Sequence, residues 1–343
     1  MKRLLVFLVA LCMPFFLYAG DITVQVDGIF YNIQDHVIAH VVNGWRSDNT
    51  GLYSGDITIP ANLIVNREGD IYYPFVKGVG HRAFADCPDL TSVTFEDNYN
   101  FDYMGREVFR NCTSLQYVNN FPQKVTCLDY CLFEGCRNLS SFTISNNVTR
   151  IEAYAFYCCE GLSSIILPDN VTTVGYAVFY GCSGISSPIY NSSIFAYMPK
   201  SYSGAYSIPS TINTIAGGAF LSCRNLTEVT IPDQVNKIDK KAFGDNIRLK
   251  IITCEAVTPP SLGESVFGGL NCSQIKLYVP DGSVESYKSA DQWKEFYILP
   301  ISSKNQSIEN VQIEDESTQK VLRDGQVIIY NGDKEYNIIG TEL

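Results

Sequence analysis

The chain has 343 residues, with 25 Lys+Arg against 36 Asp+Glu, 12 cysteines, 3 histidines and 13% aromatic residues. That length supports one large core or two ordinary ones, so no disulfide scaffold is needed to hold it together. A net charge of -11 offers no positive field for phosphates and argues against a nucleic-acid partner, and three histidines leave few enzyme plans beyond carboxylate or serine chemistry.

Residues 1–19 start with Lys2 and Arg3 and continue as an apolar run to Tyr18, which reads as a signal peptide. The run is too short to span a membrane, and acidic, polar sequence begins at Asp21. A lipid-anchored alternative would use Cys12, but Leu11 before it is too bulky for the usual small-residue site. Removing Lys2 and Arg3 leaves 23 basic and 36 acidic residues, a net charge of -13. The expected product is exported, either secreted or held at the outer surface, with no transmembrane segment.

Residues 20–77 read as an N-terminal β cap and a first irregular repeat, with a hairpin turning at Asp27-Gly28. Beyond them phenylalanines recur at 84, 109, 133, 156 and 179, then at 220, 243 and 267, with spacings of 23 to 25 and one of 41. The unit from Phe220 carries Cys223, Leu226, Val229, Ile231, Pro232, Val235 and Ile238 before Phe243. The unit from Phe156 repeats those offsets with Cys159, Leu162, Ile165, Leu167, Pro168, Val171 and Val174 before Phe179. A unit this short cannot bury its own apolar face; stacked units bury each other's. Residues 78–300 are therefore expected to form a repeat solenoid closed by a C-terminal cap. Short strands such as 226–231 would alternate with tight helical or 3₁₀ turns around each phenylalanine. About eight turns at about 4.8 Å each make a body some 40 Å long.

Cys87, Cys112, Cys136, Cys159, Cys182 and Cys223 each follow a repeat phenylalanine by three residues. One residue type at one offset makes a ladder along the stack, and cysteine is small and easily buried. Rungs about 5 Å apart allow disulfides, but a repeated position has no unique partner and favours reduced thiols. Asn246 breaks the ladder after Phe243. The 41-residue interval holds Tyr190, Phe195, Tyr197, Tyr202 and Tyr206. It is either an irregular turn packed with its own aromatics or a recognition loop projecting over about 190 to 206.

After Phe267 a strand, a turn at Pro280-Asp281-Gly282 and a short helix follow, with Trp293 and Phe296 placed to cover the last turn. Residues 301–318 are polar and read as a linker. Residues 319–343 form two or three short strands around Asp324-Gly325 and Asn331-Gly332, too little for a robust domain.

The unit with Ala83-Phe84, Cys87 and Leu90, or Ala219-Phe220, Cys223, Leu226 and Pro232, resembles the BspA-like leucine-rich repeat of bacterial surface proteins over roughly residues 60 to 300. That resemblance implies a solenoid engaged in adhesion to host or bacterial surfaces, with no catalytic residues to carry over. Asn246, the irregular turn at 188–206 and Phe121-Pro122 in place of Ile-Pro depart from the pattern. The tail, with Val321, Asp324-Gly325, Val327, Ile329, Gly332, Tyr336, Asn337 and Gly340, resembles the type IX secretion sorting signal of Bacteroidota, though Thr341-Glu342-Leu343 lacks a basic last residue. A structural module without a sorting role is the alternative. The resemblance implies contact with the secretion machinery.

Candidate chemistry is sparse. His36 and His40 lie in a strand-like stretch, where i and i+4 are about 13 Å apart, and no third ligand is evident. Cys127 and Cys131 lack the second cysteine pair that a zinc site needs, and Cys158 is an extra beside Cys159. No G-x-S-x-G elbow, H-E-x-x-H helix or phosphate loop is present. Neither a metal nor a cofactor is implied, and the chain is expected not to be an enzyme. Binding is the expected use. The strand face would present Tyr117 and Asn119, Ser141 and Thr143, Ser164, then Thr227 and Glu228, a nearly uncharged ladder that equally suits a merely solvated strand face. With the aromatics of the irregular interval it is the candidate surface for a host or bacterial protein or glycan.

Overall fold

The computed structural model describes residues 22–34, 38–42, 53–67, 69–97, 99–304, 318–323, 326–331 and 334–336. The expected signal peptide, His36, the centre of the linker and the Asp324-Gly325 turn lie outside those residues. Two compact units are present, one ending at Leu299 and one beginning at Pro300.

The first unit opens with a hairpin of Ile22–Val26 and Ile29–Gln34. Asp27 and Gly28 both take left-handed angles (φ 51° and 83°), the turn that matches the twist of flanking strands. Ile38–Val42 continues the meander and then pairs in parallel with Phe75–Val79, where stacking starts. Turns then add parallel strands on two faces. The first face carries Gly55–Ile59, Leu90–Phe95 and Tyr117–Asn119, then, further along, Ser203–Ser207, Asn225–Ile231, Ile251–Cys254 and Lys276–Val279. The second carries Cys127–Leu128, Arg150–Ile151 and Thr173–Val174, then Ile194–Tyr197, Thr214–Ile215, Lys237–Ile238 and Ser261–Leu262. The result is a β-solenoid of about ten turns. The phenylalanine count falls short because the turn before Phe84 and the irregular turn lack the Ala-Phe signature.

The phenylalanines stack in two runs, Phe84 to Phe179 and Phe220 to Phe267. Centroids of Phe84, Phe109, Phe133, Phe156 and Phe179 follow at 5.6, 5.3, 5.3 and 5.5 Å. The segments that carry them are tight i to i+3 turns, of the expected helical or 3₁₀ alternatives the tighter one, and none extends into a helix. Ala83 N–H bonds Gly80 O and Ala85 N–H bonds Arg82 O. Two residues before and two after each phenylalanine the backbone is left-handed: Arg82 and Asp86, Glu107 and Asn111, Cys131 and Gly135, Tyr154 and Cys158, Ala177 and Gly181. A left-handed residue ends helical propagation, so each segment folds back after one turn.

The cysteine ladder lies beside these runs, and each thiol reaches back one turn. Cys112, Cys136, Cys159 and Cys182 donate Sγ–H to the carbonyls of Phe84 (3.0 Å), Phe109 (2.9 Å), Phe133 (3.2 Å) and Phe156 (3.1 Å). Cys223 does the same to Met198 at 3.5 Å, and Cys87, in the first such turn, donates to Ala85 within its own turn at 3.7 Å. All eleven cysteines of the described residues are free thiols. Asn246, buried in the ladder's place, donates Nδ2 to Phe243 O at 2.9 Å while its Oδ1 has no partner.

The interval 188–206 does not project. Ile189–Tyr190 and Ile194–Tyr197 form an antiparallel hairpin, and Ser203–Ser207 joins the first face. Asn191 sits buried at the hairpin turn, its Nδ2 donating to Pro168 O (3.0 Å) and Val171 O (2.9 Å), its Oδ1 accepting the N–H groups of Ser193 (3.0 Å) and Ile194 (2.7 Å). Ile194, Phe195, Ala196, Tyr197 and Met198 are all buried. A five-residue apolar run is costly to leave in water, and here it fills the junction between two halves of the core. Phe195 stacks on Phe220 at 4.7 Å, so a strand residue continues the aromatic column where the turn residue is missing. At the far end Trp293 and Phe296 close on Phe267, at 5.3 and 4.7 Å.

The second unit is described as a three-stranded antiparallel sheet of Thr318–Arg323, Gln326–Asn331 and Lys334–Tyr336.

Candidate binding groove

The side chains expected on the strand face divide into three groups. Tyr117, Asn119, Ser141 and Thr143 are exposed and line one groove, and Ser164 is exposed on the following turn. Thr227 is exposed and Glu228 half-buried on Asn225–Ile231, beyond the irregular interval. Of the five aromatics of that interval only Tyr190 is exposed; Tyr202 and Tyr206 are half-buried and pack ring to ring at 5.4 Å. Phe195 and Tyr197 are buried and do not belong to any binding surface, because their rings complete the core.

The groove exists because the first face opens. Leu90–Phe95 and Tyr117–Asn119 pair in register, but among the described residues no ladder hydrogen bond joins 117–120 to 141–144, or 141–144 to 164–167. On the second face the same turns stay paired through Cys127, Arg150 and Thr173. Two local features hold the first face apart. Asn120 is one residue more than the 23-residue unit has before its proline, and it takes a left-handed angle (φ 54°), so the chain bends just past the strand. Phe142 stands at an inward position that Val93 and Val229 fill elsewhere, and its ring meets those of Phe121 (5.1 Å), Phe133 (4.9 Å) and Phe156 (5.4 Å). Larger rings at that level demand more room between turns.

Both ends of the opening are pinned. At one, Ser140 donates N–H and Oγ–H to Gln116 O, at 3.3 and 3.2 Å. At the other, Ser145 Oγ donates to Gln123 Oε1 at 2.8 Å and Asn147 Nδ2 to Gln123 O at 2.9 Å. Between them lies a cavity of about 500 Å³, floored by the buried Phe121, Phe142 and Ile144. No Lys, Arg, Asp or Glu lines it. Asn120, Gln123 and Asn146 belong to it and were not among the residues singled out from sequence. The signal for them was the extra residue before Phe121-Pro122.

The remaining candidates are apart from this groove. His40, on Ile38–Val42, packs edge-on to Tyr103 at 6.2 Å, and burial together with Lys77 holds its pKa down. Cys127 is half-exposed in a second-face strand, with burial pushing its thiol up against the pull of Arg150. Cys131 and Cys158 occupy left-handed turn positions. Burial raises the thiols of Cys112, Cys136, Cys159 and Cys223 well above the ordinary cysteine range, Cys223 to about 12, so these four are protonated at neutral pH and poor nucleophiles. Among the described residues no three His, Cys, Asp or Glu side chains gather as a ligand set, and no helix is long and apolar enough to cross a membrane.

Residues 77–204 and 192–291 match the model of the BspA type leucine rich repeat region, in six copies. Among solved structures, the chain is similar to a leucine-rich repeat protein from Bacteroides ovatus, at 20% identity over 80% of this chain and 82% of that one, with a TM-score of 0.43. A leucine rich cell surface protein from Faecalibacterium prausnitzii aligns at 21% identity over 83% and 97% of the two chains, with a TM-score of 0.38. A leucine-rich repeat protein from Eubacterium ventriosum aligns at 16% over 79% and 84%, with a TM-score of 0.42. The curated proteins give no match.

Proposed function

The chain belongs to the BspA-type leucine-rich repeat family, and we propose that it is an exported, non-enzymatic recognition protein that binds a host or bacterial surface ligand through its first strand face. The observation that carries this reading is the groove at 117–146, an uncharged opening of about 500 Å³ in the first face, pinned by hydrogen bonds at both ends. Its size lies in the range of small-ligand sites. The absence of charge suits a ligand held by hydrogen bonds and apolar contact. Many copies arrayed on a surface would add avidity to a weak single site. Family membership supports a binding scaffold at the cell surface, and the protonated, buried thiols supply no nucleophile. The first 19 residues would direct export, and the C-terminal unit would act as a sorting tail.

The test is a binding screen of the full chain against immobilised matrix proteins and glycans. Saturable binding that weakens in Tyr117→Ala supports recognition through this face. Silence across both sets would leave a structural or polysaccharide-associated role in the envelope. Export and tail processing are read from the intact mass of the product outside the cell, where loss of residues beyond the linker is expected and a retained Leu343 would overturn the sorting role.

A further inference from the structure

We propose that the groove between residues 117–123 and 141–146 is a carbohydrate subsite that takes one or two rings of a neutral glycan. This rests on the recognition reading above and names its ligand class. The first argument is charge. In a chain of net charge -11 the groove is lined without a single Asp, Glu, Lys, Arg or His. An anionic sugar or a phosphate would find no counter-charge there, and a basic peptide would find no carboxylate to pair with. A neutral ligand loses nothing on entering.

The second argument is the kind of polar group present. Asn119, Asn120, Ser141, Thr143 and Asn146 bring amides and hydroxyls to the walls. Each type both donates and accepts, as do the vicinal hydroxyls of a pyranose. Asn119 Nδ2 is engaged with Thr94 Oγ1 at 3.1 Å, which fixes the amide and leaves its carbonyl oxygen as an acceptor. Tyr117, 49% exposed at the rim, supplies the aromatic surface against which the C–H side of a sugar packs.

The third argument is shape. A free strand edge at Tyr117–Asn119 would ordinarily invite an added polypeptide strand. Such a strand must run on past both ends, but here the Ser140–Gln116 and Ser145–Gln123 hydrogen bonds close them. The stretch between the pins is about five residues, roughly 17 Å of strand. A short, closed-ended trough fits a compact ligand better than a continuing chain.

The full chain would be examined by saturation-transfer NMR and titration against neutral di- and trisaccharides ending in galactose, glucose or N-acetylglucosamine. Their sialylated and sulfated counterparts, an extended β-forming peptide and immobilised matrix proteins would be run beside them. Neutral saccharides are expected to bind, with affinity about tenfold weaker in Tyr117→Ala, the size of loss that marks a truncated aromatic anchor. Asn119→Ala should also weaken binding, and Thr173→Ala on the second face should not, with melting temperatures confirming that all three fold. Preference for the charged saccharides, or neutral binding indifferent to both groove variants, would overturn the subsite. Binding of peptide or matrix protein alone would overturn the carbohydrate assignment while leaving recognition standing. Silence throughout would overturn both.

Discussion

Alkaline pH should unfold this protein through its thiol ladder. The ladder thiols Cys112, Cys136, Cys159 and Cys223 and the strand thiol Cys254 are buried, and burial raises each above the ordinary cysteine range, Cys223 to about 12 and Cys254 to about 11. In the unfolded chain these thiols ionise near pH 9; in the folded protein they keep their protons. A folded pKa above the unfolded one contributes stability below pH 9, and that stability is lost as pH climbs toward the folded value. Between pH 8 and pH 10 each thiol should cost on the order of 1 kcal/mol, so the five together remove several kcal/mol. That is comparable to the whole stability of an ordinary domain. Urea titrations followed by far-UV circular dichroism at pH 8, 9 and 10, with reductant present, measure the loss directly. Cys136→Ala should lower stability at pH 8 yet reduce the pH-dependent drop by about 1 kcal/mol. A drop below about 2 kcal/mol over the same interval would refute the argument. So would fewer than eleven free thiols in the denatured protein, because disulfides do not titrate.

Asn191→Ala removes four hydrogen bonds from a buried hairpin turn and should cost about 3 kcal/mol or more, visible as a lowered thermal midpoint. Asn246→Cys takes away a buried, unpartnered carbonyl and restores a ladder thiol, so it should raise stability by about 1 kcal/mol; a lower urea midpoint would count against the ladder geometry. Gly181 has φ 85°, and a Cβ there would lie 2.7 Å from Cys158 Sγ. Gly181→Ala is therefore expected to destabilise by about 1–3 kcal/mol in the same measurement.

Much of this fold is legible in the residue order because a repeat states its contacts many times over. The same offsets in successive units identify the phenylalanine column, and three residues on, the cysteine ladder. Each ring and thiol meets its own equivalent one turn away, so periodicity alone predicts the neighbour. Trp293 and Phe296 were readable as a cap for the same reason: a stack must end, and large apolar residues just past its last unit have one place to go.

Where the repeat breaks, that reasoning has nothing to count. Tyr190, Phe195, Tyr197, Tyr202 and Tyr206 have the composition of either a recognition loop or a packed insertion, and the difference lies in partners far away in the chain. Phe195 is in the core because Phe220 leaves a vacant stacking place beside it, and Asn191 is held by Pro168 and Val171. The residue order shows a tight turn at each phenylalanine but not where it stops, because the left-handed angles that end it fall on Arg, Asp, Glu, Tyr and Cys as well as on glycine, and side-chain identity does not announce them. The groove depends on both levels. Asn120 as an extra residue and Phe121-Pro122 as a departure are visible in the order of residues. Whether one added residue closes up or opens a cavity was decided in three dimensions, by Phe142 wedged among Phe121, Phe133 and Phe156 and by hydrogen bonds that pin the turns at Gln116 and Gln123. Sequence alone set the solenoid, its period and its aromatic and thiol columns, since those contacts join equivalent positions; tertiary structure set the binding face, since its contacts join positions that occur once.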